Sequence, residues 1–332
     1  MPSLLQSLGA RREFAGAIVP AVLTRLMVVM TLVLLGAVPA QPNGVSQDSA
    51  LRAELARAIA SAESRRDGRV ESECLLDTGR KSIQLYGTGV GIWDERAQFR
   101  VEDERFVAVL RSFDRHDFLA MPESAGGRVR KPAGRAQGLR VTCTVTLALP
   151  AGERTVVQLE GGEQSAALKR LATEIIEPFE ESARHGITVG SIEEGLAAVA
   201  EGRLAPEAFS LVAHFKPRDR TGWLLESQHG GLASRSFSER AGYGPSRRLA
   251  SADDQIRELA RMMSAADLPS RLSLDEYTEL QVRVLNRRAE ILARVFADQP
   301  SPGATDRTGF MKVRAELERL HQLVIKQGKP DP

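Results

Sequence analysis

The sequence predicts an α+β protein: two tandem, divergent modules of antiparallel strand pairs packed with helices, joined by a helical linker. Three observations predict it. Apolar residues recur at three- and four-residue spacing in some segments and alternate in others. The alternating segments come in pairs separated by turn residues, as hairpins require. The order of patterns then returns further along the chain. Leu85 and Gly91 match Leu225 and Gly231 at an offset of 140. Phe106, Val109, Phe113 and Phe118 match Ile256, Leu259, Met263 and Leu268 at 150, and Val141, Cys143 and Val145 match Leu280, Val282 and Val284 at 139. With 332 residues, about two domains are expected. The expected organisation is a signal peptide over 1–40, a first module over 41–185, a helical connector over 186–221 and a second module over 222–332.

Residues 26–40 are a fifteen-residue run without charge, preceded by Arg11, Arg12 and Arg25 and closing on Val38-Pro39-Ala40 before the polar Gln41. A positive flank, a short apolar run and a small-residue exit form the signal-peptide pattern. A helix of that length spans roughly 22 Å, short of the ~30 Å hydrocarbon core. The expected address is therefore outside the cytosol, in the periplasm or beyond. The competing reading is an uncleaved N-terminal anchor, which has to accommodate Arg25 within the apolar stretch.

Leu51, Leu55 and Ile59 share one face of a helix over 50–65, and Gly68 lies beyond its end. Strands and turns follow over 70–101. Asp103 is expected to cap a helix carrying Phe106, Val109, Leu110 and Phe113 inward. Pro150-Ala-Gly-Glu153 separates the strands 139–149 and 155–159. A helix over 165–177 carries Leu168, Leu171, Ile175 and Ile176 and meets Pro178.

Residues 187–217 read as helical: Ser191-Ile-Glu-Glu194 has capping-box spacing, and Pro206 opens a second helix with Phe209 and Val212 inward. Strand and turn character returns over 222–237. Ser251-Ala-Asp-Asp254 caps a helix with Ile256, Leu259 and Met263. Residues 274–296 fit both one long helix and two strands about Asn286-Arg287; the repeat favours strands. A last helix from about 309 uses Phe310, Val313, Leu317, Leu320 and Val324.

Cys74 and Cys143 are the two cysteines of the chain, each in a strand-like segment. Outside the cytosol a bridge between them is chemically permitted. It would close a loop of about 70 residues and contribute roughly 4 kcal/mol through the unfolded state. The alternative is a pair of buried thiols packed as small apolar groups.

The chain carries 45 cationic and 43 anionic side chains. Three of the cations and one of the anions lie in residues 1–40, leaving 42 of each sign in the body. A neutral body with 5% aromatics gives no long-range steering toward nucleic acid, and membrane contact is expected only through the N-terminal segment. Arg128, Arg130, Lys131, Arg135 and Arg140 form a local basic run, a weak patch for an anionic partner set against the simpler reading of a solvated loop.

No catalytic, cofactor or metal residue is assigned. Gly87-Thr-Gly-Val-Gly91 resembles a phosphate loop in spacing, but Ile92-Trp93 returns to strand character where a helix has to begin. His116, His185, His214, His229 and His321 form no metal-ligand pair, and no Gly-x-Ser-x-Gly elbow is present. The leading expectation is a non-enzymatic binding module whose partner is a protein or an envelope component. The alternatives are an exported hydrolase with dispersed residues and a structural protein held by its N-terminus.

Overall fold

The structure is a computed structural model that describes residues 44–122, 141–159, 166–217, 221–238, 242–266, 276–293 and 307–330. The expected signal peptide over 1–40 and the basic run from Arg128 to Arg140 lie outside those residues. The protein is a mixed α+β fold with two antiparallel sheets. Ser46–Pro332 cluster as one compact unit.

Helices α1 (Gly44–Ala60) and α2 (Ala62–Arg65) lead into the first sheet, with Ser61 at the N-cap of α2. The sheet contains β1 (Arg69–Leu76), β2 (Gly79–Tyr86), β3 (Val90–Trp93), β4 (Ala97–Arg100), β5 (Val141–Leu149) and β6 (Gly152–Leu159), in the order β4-β3-β2-β1-β5-β6. Alternation explains the faces: Val70, Ser72, Cys74 and Leu76 are buried on β1, while Arg69 and Glu71 are part-exposed and Glu73 and Leu75 exposed on the other side. The buried side is covered by α3 (Asp103–Arg115) and α4 (Ala166–Ile176), whose apolar stripes supply Phe106, Val109, Leu110, Phe113, Leu168, Leu171 and Ile175.

The glycines at 87–91 make a hairpin turn between β2 and β3, as expected. A Cβ on Gly87 would sit 1.7 Å from the Arg65 carbonyl oxygen, so this position requires glycine for close backbone approach. Asp103 departs from expectation. It is the first residue of α3 rather than its cap, and its carboxylate takes a two-pronged bond from the buried Arg65, holding Asp103 below the usual carboxylate range.

A short α5 (Glu180–Arg184) follows Pro178, and α6 (Ile192–Ala200) follows its own N-cap. Ser191 Oγ accepts the Glu194 amide at 3.2 Å and Glu194 accepts Gly190 N–H at 2.6 Å, so the capping box forms one residue out of the usual register.

The expected helix after Pro206 is a correction. Pro206–Ala208 is a single 3-10 turn, and Phe209–Pro217 is strand β7. Phe209 and Val212 have helical spacing, but Phe209, Leu211, Ala213 and Phe215 alternate, and all four are buried. Pairing on both sides, with β8 and β12, decides for the strand. The last third of the expected connector therefore belongs to a sheet.

That second sheet comprises β7, β8 (Gly222–Gln228), β9 (Gly231–Ser238), β10 (Gly242–Tyr243), β11 (Arg247–Leu249), β12 (Glu276–Val284), β13 (Arg287–Ala293) and β14 (Lys329–Pro330). Its order is β13-β12-β7-β8-β9-β11-β14, with β10 paired to β9. Residues 276–293 are thus a strand pair turning at Leu285-Asn286, as the repeat favours over the helical period.

Helices α7 (Asp253–Ala265) and α8 (Arg307–Gln327) give Ile256, Leu259, Met263, Val313, Leu317, Leu320 and Val324 to its core. At α7 the N-cap is Ala252, without a side-chain bond; Asp253 and Asp254 act instead as first-turn anions facing the helix dipole. The side chains of Phe310, Ile291 and Leu292 and all of Leu268 fall outside the described residues.

The two sheets are pinned together by specific contacts. Gln98 and Ile187 exchange backbone bonds along the β4 edge, and Ala205 N–H donates to Gln98 Oε1 at 2.8 Å. Tyr86 and Ile92, on the face of the first sheet turned away from α3 and α4, are buried in the core of the second.

Candidate functional site

Three polar constellations stand out, each built by the topology from residues far apart in sequence. The first lies where the sheets meet. Residues 228–231 turn β8 into β9 with His229 (φ 55°) and Gly230 (φ 75°) both left-handed, the geometry of a tight hairpin turn. This turn presents the His229 imidazole to the first sheet. Nδ1 lies 2.8 Å from the Tyr86 hydroxyl, which lies 3.0 Å from Gln84 Oε1, and Nε2 lies 3.5 Å from Glu71 Oε1. Glu71 in turn is 3.2 Å from Arg69 Nε, and Arg69 pairs with Glu153 at 2.8 Å. Nearby, Arg283 pairs with Glu95 and Thr88 donates to Glu207.

Burial and the cations Arg69, Arg248 and Arg283 push His229 down to about 3, so the imidazole is neutral. Burial raises Glu71, with Glu153, Glu73 and Glu95 adding to the effect of burial and Arg69 opposing it. Burial, reinforced by Glu71, also holds Tyr86 well above its ordinary value. The neutral imidazole thus bonds across the sheets through Nδ1 to the Tyr86 hydroxyl, while its Nε2 only approaches Glu71 Oε1, which has no hydrogen-bond partner among the described residues. Tyr86 is 4% exposed, so the Tyr86–His229 contact serves as a junction between sheets more readily than as a substrate site.

The second constellation is on the helix-covered side of the second sheet. Ser234 Oγ is 2.7 Å from His321 Nδ1 and donates to the Leu224 carbonyl at 2.7 Å, and the His321 ring stacks on Trp223 at 5.2 Å. This is the serine–histidine pair that a dispersed hydrolase calls for. Yet His321 is 4% exposed and Ser234 2% exposed, and the serine proton is committed to a backbone oxygen. Burial lowers His321, which fits a neutral packing role.

The third is on the opposite face, which no described helix covers. His214 on β7, Phe237 on β9 and Tyr243 on β10 bring three rings together: His214 to Phe237 at 6.0 Å edge-on, His214 to Tyr243 at 6.0 Å, and Phe237 to Tyr243 at 4.9 Å. Arg235 lies over the Tyr243 ring at 4.3 Å, and Tyr243 is 45% exposed. The Nε of Arg235 is buried without a hydrogen-bond partner. In a chain of 5% aromatics, this is a local concentration of ring surface beside a cation.

A hollow of about 440 Å³ also lies along α4, lined by Ala166, Lys169, Arg170, Thr173 and Glu174. All five come from one helix, and among the described residues no second element supplies opposing groups.

Cys74 and Cys143 stand opposite each other on β1 and β5, with Cα atoms 4.0 Å apart and the sulfurs at disulfide distance. The five basic residues of the 128–140 run have no described position. Among the described residues no group of three or more His, Cys, Asp or Glu is arranged to hold a metal ion, and no helix is long and apolar enough to cross a membrane. Sequence reasoning missed His229, His214 and His321 as members of clusters. Their partners lie 143, 23–29 and 87 residues away, and only the tertiary fold joins them.

No family model matches the chain, and no curated protein matches it. Among solved structures, it aligns with the DNA polymerase III beta chain of Streptococcus pneumoniae at 9% identity and a TM-score of 0.12, covering 77% of this chain and 65% of that one. The chain thus spans under two thirds of that protein's length, and a likeness at this level carries no argument about fold or function.

Proposed function

We propose that this chain is an exported, non-enzymatic binding protein whose second sheet presents the face turned away from α7 and α8 to a partner in the cell envelope. The observation that carries the reading is the ring cluster of Tyr243, Phe237 and His214 with Arg235 stacked on it, lying on the sheet face opposite the helices. Exposed aromatics beside arginine are the side chains that most often anchor protein interfaces. The buried alternatives, His229 and His321, are occupied in joining elements of the fold.

Export is supported by the leader over 1–40 and by a cysteine pair held at bonding distance across adjacent strands. The reading of two divergent copies of one module is supported by strand order. Each sheet runs fourth, third, second, first, fifth, sixth when strands are counted from its own beginning, leaving aside β10 and β14. In each, a helix starting 150 residues apart, Asp103 and Asp253, joins the fourth strand to the fifth. Pairing registers revise one alignment. Val70 faces both Leu85 and Leu147, and Ala213 faces both Leu225 and Leu280, so Leu280 corresponds to Leu147 rather than Val141. On this reading the second copy begins with α6 and β7, and the connector shortens to the residues before Ser191.

The test is a pull-down from native envelope extract with the full chain and with Tyr243→Ser. A stoichiometric partner retained by the wild type and lost by the variant is expected. Equal recovery by both, or no partner at all, overturns the assignment of this face. Intact mass of the exported product, expected to start at Gln41, tests the address; retention of residues 1–40 contradicts cleavage.

A further inference from the structure

We infer that α4 is a lid over the Cys74–Cys143 pair: it withholds the bridge from thiols in the folded protein, so exchange waits for α4 to lift locally from the first sheet. The inference rests on the two sulfurs, which stand at disulfide distance, being bonded. Cys74 and Cys143 face each other across β1 and β5 on the buried side of the sheet, 1% and 6% exposed. Gln158 stands opposite Cys143 on β6 and is buried. Along β1, the buried Ser72 places its Oγ 3.6 Å from the Cys74 sulfur. The approach from above the sheet is taken by α4, which packs on both β1 and β5.

The lid is apolar and pinned at one end. Leu168, Leu171, Ala172 and Ile175 of α4 are buried in one cluster with the two cysteines. Lys169 Nζ donates to Asp77 Oδ1 at 2.8 Å, in the turn that follows β1, which sets the first half of α4 over the Cys74 end of the strand. An exposed ion pair of this kind fixes position more than it adds stability, so the apolar stripe holds the lid down. No strand ladder includes α4. It follows β6 in the chain and precedes the 3-10 turn Glu177–Phe179, so it can leave the sheet with β1 still paired to β5.

Reduction by a dithiol shows what the lid prevents. One thiolate of dithiothreitol attacks a bridge sulfur, forming a mixed disulfide and releasing the other cysteine as thiolate. The second thiolate of the same molecule then attacks its own sulfur in that mixed disulfide, closing the oxidised ring and releasing the remaining cysteine. Two electrons pass to the bridge, and the two protons of the reductant end on the cysteines. The first contact needs a reachable sulfur, and a bridge that turns over in exchange presents one. Under α4 neither sulfur is reachable, which makes this bridge a structural tie and not an exchange centre.

The experiment is reduction of the full chain by excess dithiothreitol, with freed thiols alkylated by iodoacetamide and counted by intact mass. In buffer the wild type is expected to stay unalkylated over a period that reduces oxidised glutathione completely, and in unfolding urea to be alkylated at both cysteines. Leu168→Ala removes buried bulk beneath α4 and is expected to speed alkylation in buffer about tenfold or more. Leu317→Ala, the same truncation in the core of the second sheet, is expected to leave the rate at the wild-type value. If Leu168→Ala fails to fold, Leu168→Val makes the same test with a smaller expected gain.

Reduction of the wild type in buffer as fast as that of glutathione shows an open bridge and overturns the proposal. Equal acceleration by Leu168→Ala and Leu317→Ala assigns exchange to global unfolding, and no acceleration by Leu168→Ala removes α4 as the lid; each overturns it as well. Alkylation of the unfolded chain without reductant shows two thiols in place of a bridge, and overturns the proposal without touching the binding face of the second sheet.

Discussion

Lowering the pH from 7.5 to 5.5 is expected to weaken the junction between the sheets through His229. In the unfolded chain this imidazole takes up a proton near pH 6.5, and in the folded protein only near pH 3. Its contribution is therefore complete above pH 6.5 and is lost progressively as the pH falls from 6.5 toward 3. At pH 5.5 the loss is about 1.4 kcal/mol, and at pH 5 about 2 kcal/mol, at 1.36 kcal/mol per pH unit. Glu71 acts the other way. Its carboxyl is raised by burial, so its penalty applies to the ionised form and lifts as the pH falls through its folded value, above 4.5.

Measurements at pH 7.5 and 5.5 bracket the ordinary imidazole value. His321 is also lowered by burial and adds a loss of the same sign, so the informative quantity is the difference between two proteins. His229→Asn serves as the reference, because asparagine tolerates the left-handed backbone at this turn and does not titrate. Urea unfolding at both pH values gives the measurement. The wild type is expected to lose about 1.4 kcal/mol more than His229→Asn between them. Equal losses in the two proteins would refute the buried, neutral imidazole and the junction built on it.

Other perturbations have defined outcomes. Replacing both Cys74 and Cys143 by serine, or adding reductant, is expected to cost about 2–4 kcal/mol by releasing a loop of 69 residues, read as a drop in melting temperature that reductant no longer deepens in the variant. Gly87→Ala forces a Cβ to within 1.7 Å of the Arg65 carbonyl and is expected to cost more than about 2 kcal/mol, whereas Gly244→Ala, whose nearest neighbour is 3.6 Å away, is expected to cost under about 1 kcal/mol in the same melts. Ser234→Ala leaves the buried His321 Nδ1 without its partner and is expected to cost about 1–3 kcal/mol in urea unfolding; no loss would return the pair to the list of groups kept for chemistry.

Much of the fold was legible because local pattern and tertiary role agree. The stripe Phe106, Val109, Leu110, Phe113 specifies α3 whatever it packs on, and the same holds for Leu168, Leu171 and Ile175 in α4. The turn glycines at 87–91 and the Pro150-Ala151 turn mark hairpins by backbone chemistry alone. The stretch after Pro206 was not legible. Phe209-Ser-Leu-Val-Ala-His-Phe215 satisfies both periods, and what decides is a place between β8 and β12, which one sequence does not display. Residues 276–293 pose the same ambiguity, and the pairing of β12 with both β13 and β7 decides for strands.

The site residues were less legible for a related reason. Cys74 and Cys143 face each other because β1 and β5 are neighbours in the sheet, whereas sequence shows only two alternating segments. His214, Phe237 and Tyr243 carry no motif at all; their cluster exists because β7, β8 and β9 are consecutive antiparallel strands and β10 folds back on β9. Motif reading looks for chemistry encoded in spacing, and here spacing is set by hairpin geometry.

The most direct test of a partner-binding face on the second sheet is tyrosine footprinting. The full chain is iodinated with and without saturating native envelope extract, and modification is read at each tyrosine by mass spectrometry. Tyr243, 45% exposed, is expected to react freely alone and to be shielded by the extract, while Tyr86, 4% exposed, stays unreactive throughout. Undiminished modification of Tyr243 in the presence of extract would contradict the account.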